Sequence, residues 1–224
     1  MKRILILIAV LLTFSTCCYG AEAKITYRRT DNSQMKIALT FDDGPHPYYT
    51  AEILDILAEY NVKATFFFVG QNIENYPEAA EKVYLEGHEI GNHTYTHHRV
   101  RAMERGELVR ELERCDDKIY GLYEYKSRLF RPPEGAFDSD VEIIAKNMDY
   151  SIILWSVDTR DWEGNSPEVI YQNVIDHVRS GDIILMHDYI GRKSPTPEAL
   201  RMMLPKLIQM GYSFVTVSEL ISCG

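Results

Sequence analysis

Ser151-Ile152-Ile153-Leu154-Trp155 and Ile183-Ile184-Leu185-Met186 are unbroken apolar runs of strand length. A strand with one wet face alternates polar and apolar residues, so a continuous run predicts burial on both faces, as in a parallel sheet covered by helices. Working outward, the two runs extend to strands over 151–157 and 182–187, and five more read as strands: 36–41, 64–69, 89–92, 128–131 and 213–217. Helical patterns fill the gaps at 50–60, 77–86, 103–123, 140–147, 167–179 and 197–210. Ser166-Pro167-Glu168 and Thr196-Pro197-Glu198 each offer an N-cap, a proline at the first helical position and an acid near the positive helix end. Gly181 and Gly211 are natural stops, and Pro205 predicts a kink in the last helix. Strand then helix, repeated about seven times without a linker, describes one α/β domain of parallel strands with outer helices, either open or rolled into a barrel. In both, chemistry collects at the carboxyl ends of the strands.

The 224 residues carry a formal net charge of −9, which argues against a broad basic footprint for nucleic acid or an anionic membrane. Neutral small molecules, sugars and peptides remain open. Lys2 and Arg3 precede an apolar run from Ile4 to Phe14, followed by Ala21-Glu22-Ala23, the layout of a secretory signal peptide. At about 1.5 Å per residue that run falls short of the ~30 Å hydrocarbon core, so no stable membrane span is expected in the mature chain. The reading is a signal peptide over 1–23, a short segment over 24–34 and one domain over 35–222, in a secreted or cell-envelope protein. Cys18-Tyr19-Gly20 offers a second cleavage point. Phe14-Ser15-Thr16 matches a lipoprotein signal poorly, so lipid anchoring at Cys17 or Cys18 is not expected. Cys115 and Cys223 remain, either as a disulfide or, since Cys115 falls on the apolar stripe Leu108, Leu112, Cys115, Ile119, with Cys115 as a buried thiol.

The residues just after the apolar runs carry the chemistry. Asp42 and Asp43, in Thr40-Phe41-Asp42-Asp43-Gly44-Pro45, are adjacent carboxylates that repel unless a cation lies beside them. His93 and His97 are four apart, a spacing that puts both on one face of a helical turn, where neutral imidazoles can share a metal. Two His and one Asp leave positions on a divalent ion open to water and substrate, and the spare Asp can take a proton from that water. Arg131, in Phe130-Arg131-Pro132-Pro133-Glu134-Gly135, can clamp a carboxylate. Asp158-Thr159-Arg160-Asp161-Trp162 places acids and an indole after an apolar strand, and His187 ends another, where an orienting acid such as Asp161 would let it protonate a leaving group.

These five segments, in this order, resemble the motifs of the polysaccharide deacetylases, carbohydrate esterase family 4, over residues 35–220. The resemblance implies a distorted, incomplete (β/α) barrel and removal of acetyl groups, mainly N-acetyl, from polysaccharides such as peptidoglycan or chitin-like N-acetylglucosamine polymers. It matches Asp42 to the general base, Arg131 to the residue orienting it, His187 to the general acid and Asp161 to that acid's partner. It matches Asp43, His93 and His97 to the ligands of a divalent metal, zinc first, with cobalt, manganese or nickel as alternatives. Pro133, Glu134, Trp162 and Leu185 match substrate contacts, the last two walling the acetyl-methyl pocket. Glu134 stands where the family commonly has Tyr, which bears on the sugar contact rather than on the reaction. Alternatives are an acetyl-xylan or other O-acetyl esterase and a non-catalytic carbohydrate-binding relative. A paired-carboxylate glycoside hydrolase leaves the His pair unexplained.

Overall fold

A computed structural model describes residues 26–30, 34–191 and 193–223; the expected signal peptide and Cys17 and Cys18 lie outside them. The strands are β1 (Thr26–Tyr27), β2 (Lys36–Asp42), β3 (Thr65–Phe68), β4 (Glu89–Asn92), β5 (Leu129–Phe130), β6 (Ser151–Ile153), β7 (Val157–Asp158), β8 (Ile183–His187) and β9 (Ser213–Phe214). The helices are α1 (Tyr49–Glu59), α2 (Gly70–Asn75), α3 (Pro77–Leu85), α4 (Arg105–Tyr120), α5 (Ser139–Asn147), α6 (Pro167–His177), α7 (Thr196–Gln209) and α8 (Val217–Ser222). All named strands pair in parallel, in the order β1-β6-β5-β4-β3-β2-β8-β7, with β9 on β2. This is the α/β incomplete barrel that the sequence led us to expect, with strand-level corrections.

The run read as one strand over 151–157 is two. β6 pairs with β5 and β1, whereas β7 pairs with β8 at the far end of the strand order. Leu154–Ser156 span the seam: Leu154 N–H still donates to Tyr27 O, and Ser156 N–H already donates to Ile183 O. One short link therefore brings the two ends of the curled sheet together. The strand read over 213–217 ends at Phe214, and α8 follows with a capping box in which Thr216 and Glu219 bond each other's backbone N–H. β1 and α2 were not read from the sequence. α7 runs on through Pro205 as one helix.

Alternation along the strands sorts the core into an outer and an inner face. Ile37, Leu39, Phe41, Phe66, Phe68, Ile184 and Met186 pack outward against α1, α3, α6 and α7. Ala38, Phe67, Leu129, Ile153 and Ile183 point inward and are closed at the lower end by Val217 and Leu220 of α8. By the same alternation Thr40, Asp42, Leu185 and His187 face the interior at the upper end. Cys115 is a buried free thiol and Cys223 an exposed one, so the two do not form a disulfide.

Candidate active site

Asp42 and His187 are register partners at the ends of the adjacent strands β2 and β8. Asp42 is buried, and its Oδ1 accepts from Arg131 Nη1 at 2.6 Å. Arg131, at the end of β5, is fully buried and reaches across the interior. Nη1 also donates to Thr40 Oγ1 at 2.8 Å, Nε to Ile153 O at 3.1 Å and Nη2 to Leu154 O at 3.3 Å. One guanidinium thus satisfies the carbonyls of the seam and fixes the Asp42 carboxylate, with its face 4.1 Å from the Phe67 ring centre.

His93 and His97 do converge, but not on a helical turn. They flank an irregular loop in which Thr94 and His97 take left-handed backbone angles, φ 66° and 60°. Such angles cost energy in residues other than Gly, and local bonds hold them here. Asn92 Oδ1 accepts Thr94 N–H, Thr94 Oγ1 accepts His97 N–H, and Glu111 Oε2 from α4 accepts the N–H groups of Tyr95 and Thr96 and the Thr96 hydroxyl. Glu111 was missed in the sequence, although an acid beside the stripe Leu108, Leu112, Cys115 is a readable anomaly.

Asp43 Oδ1 lies 3.3 Å from His93 Nε2 and 3.0 Å from His97 Nε2, and one ligand atom from each of the three lies within 4.8 Å of the others. His93 Nδ1 is 2.6 Å from Arg131 O; donating its proton there, it leaves a lone pair on Nε2. A carboxylate oxygen and an imidazole lone pair at this distance repel unless a cation sits among them. Asp43 Oδ1 is moreover buried without a hydrogen-bond partner. Were the two imidazoles protonated instead, they would outweigh the upward push of burial and hold the Asp43 carboxyl well below the usual carboxylate range. One carboxylate and two imidazoles converging on one point fit a divalent metal.

His187 is fixed twice by the buried Asp161. Its Nδ1 is 2.8 Å from Asp161 Oδ1, and its own N–H donates to Asp161 Oδ2 at 2.7 Å. Thr196 Oγ1 donates to the same Oδ2 at 2.7 Å. Thr196 is therefore not the N-cap its sequence context suggested; it is the first residue of α7, Pro195 holds the N-cap position, and the hydroxyl is free for Asp161. Burial lowers the His187 pKa, but the bond to Asp161 and its charge, with those of Asp43 and Asp42, push it up to about 9. If catalysis needs protonated His187, kcat/KM should stay level through neutral pH and fall as pH rises through His187's pKa. Asp161→Asn should move that alkaline limb down toward an ordinary histidine value of about 6.5. A pH profile unchanged in Asp161→Asn would reject the pairing as the source of the shift.

Asp188, the residue after β8, braces the end of β2 and the turn that follows it. Its N–H donates to Asp42 O at 3.2 Å, and its buried carboxylate accepts the Thr50 hydroxyl and lies against Gly44, where a Cβ would sit 2.2 Å from Oδ2. Only glycine fits there.

These groups open into a cleft of about 550 Å³ that contains Asp42, Asp43, His93, His97 and His187. Leu185, Trp155 and Trp162 supply its apolar lining, and Glu134 and Asp158 add carboxylates. Pro133 is buried in the turn before Glu134 and is not among the residues lining the cleft. Glu134 takes φ 58°, and its carboxylate pairs with Arg99 Nε at 2.9 Å on the exposed rim. Thr40 and Thr196 bear on the site without lining it.

A parallel half-barrel with a convergent carboxylate–imidazole triad and a separate acid–histidine pair at its strand ends defines a hydrolase of the metal-dependent kind. The family model described as polysaccharide deacetylase matches residues 29–153, and the chain belongs to that family. A peptidoglycan-N-acetylglucosamine deacetylase of Bacillus cereus is 42% identical over 85% of this chain and 90% of its own length. A chitooligosaccharide deacetylase of Azorhizobium caulinodans is 35% identical over 87% of this chain and 96% of its own. Among solved structures, the Bc1960 peptidoglycan N-acetylglucosamine deacetylase in complex with 4-naphthalen-1-yl-N-oxidanyl-benzamide superposes with a TM-score of 0.85 at 34% identity. That match covers 88% of this chain and 92% of the other. The chain is thus a polysaccharide deacetylase, a hydrolase of a family in which metal dependence is typical.

Proposed function

We propose that the protein removes the N-acetyl group from N-acetylglucosamine residues of peptidoglycan, releasing acetate. The observation that carries the mechanism is the meeting in one cleft of a base held by Arg131, an acid held by Asp161 and the Asp43–His93–His97 triad. Asp43, His93 and His97 would hold a divalent ion, zinc first for this donor set, which would supply Lewis acidity at the attacking water and the acetyl carbonyl. Asp42, with Oδ1 tied to Arg131, keeps Oδ2 to take the water's proton. His187, with Nδ1 committed to Asp161, presents Nε2 and its proton to the departing sugar amine, giving a free amino group. Leu185 and Trp162 bound the space for the acetyl methyl. The five motifs read in the sequence belong to this one cleft and its supports, and Glu134, standing where the family commonly has Tyr, changes the rim rather than the chemistry.

Two further readings belong to the proposal. Residues 1–23 act as a leader that delivers residues 35–222, the catalytic domain, to the cell envelope. Peptidoglycan is favoured over chitin-like oligomers because the relative at 42% identity is named for it. Acetate release from peptidoglycan, N-acetylglucosamine oligomers and acetyl-xylan, with and without chelator, tests the reading. Release from peptidoglycan that chelator abolishes and a divalent ion restores is expected. Release from acetyl-xylan alone, or release that survives verified metal removal, would overturn it.

A further inference from the structure

Asn92, at the end of β4, is fully buried, and its amide oxygen and amide nitrogen do different jobs. Oδ1 accepts Thr94 N–H at 2.8 Å, the bond that braces the left-handed turn between His93 and His97. Nδ2, with two hydrogens, faces three acceptors: Leu112 O at 3.0 Å, Asp116 Oδ1 at 3.0 Å and the Tyr150 hydroxyl oxygen at 2.9 Å. The same Asp116 oxygen also accepts the Tyr150 hydroxyl. Asn92, Asp116 and Tyr150 are not among the residues lining the reaction cleft, and Asp116 lines a separate one of about 380 Å³.

The carboxylate sets the direction of the bonds in this cluster. An ionised Asp116 only accepts, so Tyr150 donates to it. The Tyr150 oxygen then offers only lone pairs, and the Asn92 amide turns its NH2 side toward both groups. Oδ1, and not the NH2, is thereby left opposite Thr94 N–H. Burial first, and then the Asp116 charge, push the Tyr150 pKa far above the usual tyrosine value, so the hydroxyl keeps its proton. Burial also raises the Asp116 pKa, and the bonds from Tyr150 and Asn92 oppose that rise. Without the carboxylate, the buried Tyr150 hydroxyl loses its acceptor, and a buried donor left unpaired is costly. The Asn92 amide, already in contact with it, can supply a new acceptor by turning its oxygen round. An amide so turned sets NH2 against Thr94 N–H, donor against donor, and the turn loses its brace.

We propose that Asp116 is a positioning residue for the metal triad, acting through Asn92: it keeps the amide oxygen on Thr94 and so holds His93 and His97 toward Asp43. The proposal rests on the metal reading of that triad. α4 thus grips the histidine loop at two points, with Asp116 on the His93 side and Glu111 on the His97 side.

Zinc titration of the metal-stripped full-length protein against a chromophoric chelator tests it, with the visible spectrum of the cobalt-loaded protein as a reading of ligand geometry. Asp116→Leu, which fills the space without an acceptor, should weaken zinc binding by about tenfold and shift the cobalt bands while circular dichroism shows a folded protein. Tyr150→Phe alone should leave zinc affinity within about twofold of wild type, because Leu112 O and Asp116 still hold the amide. The double variant discriminates. Tyr150→Phe removes the hydroxyl that would turn the amide, so it should restore most of the affinity lost in Asp116→Leu, whereas a merely structural role predicts two losses that add. If Asp116→Leu does not fold, Asp116→Ala takes its place in both measurements. Unchanged zinc affinity in the Asp116 variant, or a loss that Tyr150→Phe leaves in place or deepens, would overturn the proposal. The two readings fail separately. Wild-type protein that binds no zinc sinks the metal reading and this role with it, and stoichiometric zinc held with an affinity indifferent to Asp116 sinks the positioning role alone.

Discussion

Asp42→Asn should lower turnover by about 10²- to 10⁴-fold while the bound metal stays in place. The amide still accepts from Arg131 Nη1, so the side chain keeps its position, but it cannot take a proton from water. Added metal should not rescue it. Asp43→Asn should fail in the opposite way, because it removes the charged member of the triad: metal content falls, and excess metal partly restores turnover. Adjacent residues thus give two separable defects, read by metal analysis and acetate release on the same preparations. If Asp42→Asn loses the metal while Asp43→Asn keeps it and is dead, the two roles are exchanged. Because Asp42→Asn also strips a buried guanidinium of its counter-charge, its Tm should fall too, and assays belong well below it.

Arg131→Ala should be the most damaging substitution for the fold. It leaves Asp42 charged, buried and unpaired and removes the donors to Ile153 O and Leu154 O where the sheet changes edge. Breaking a buried pair from one side costs about 3–5 kcal/mol, which in a domain of this size corresponds to a Tm lower by about 10 °C. Arg131→Lys should recover little, since a point charge cannot reach all four acceptors of the planar fork. A melting curve that moves by no more than about 2 °C for either variant would show that the seam is held by other groups.

The strands and their order of chemistry were legible because burial leaves a plain signature. The run around Ile184 and the strand ends Asp42, Arg131 and His187 needed only apolar length and the polar residue that stops it. The seam was not legible. Leu154-Trp155-Ser156 continues an apolar run, and a change of strand partner leaves no trace in hydropathy. The His93–His97 spacing was informative for the wrong reason, since the convergence comes from left-handed backbone at Thr94 and His97 and not from helical period. Thr196 misled because Ser/Thr before Pro is a cap by local rules, and only tertiary packing brings Asp161 to it. α8 was readable from Thr216 and Glu219, but the β-like run through Val217 competed with the capping signal.

The strand β1 is only two residues long, yet it occupies the outer flank of β6, with Thr26 and Tyr27 set against Ile152 and Ile153. Further along, Arg29 bridges to Asp182, so the same stretch of chain is pinned on both sides of the seam. These pairings involve none of the groups that handle the acetyl. What they do is shield backbone N–H and C=O groups that would otherwise invite strand addition by a neighbouring molecule. A chain begun after Tyr27 would keep every reactive side chain yet leave one flank of β6 open to pairing, so the element that closes this edge is separate from those that carry the chemistry.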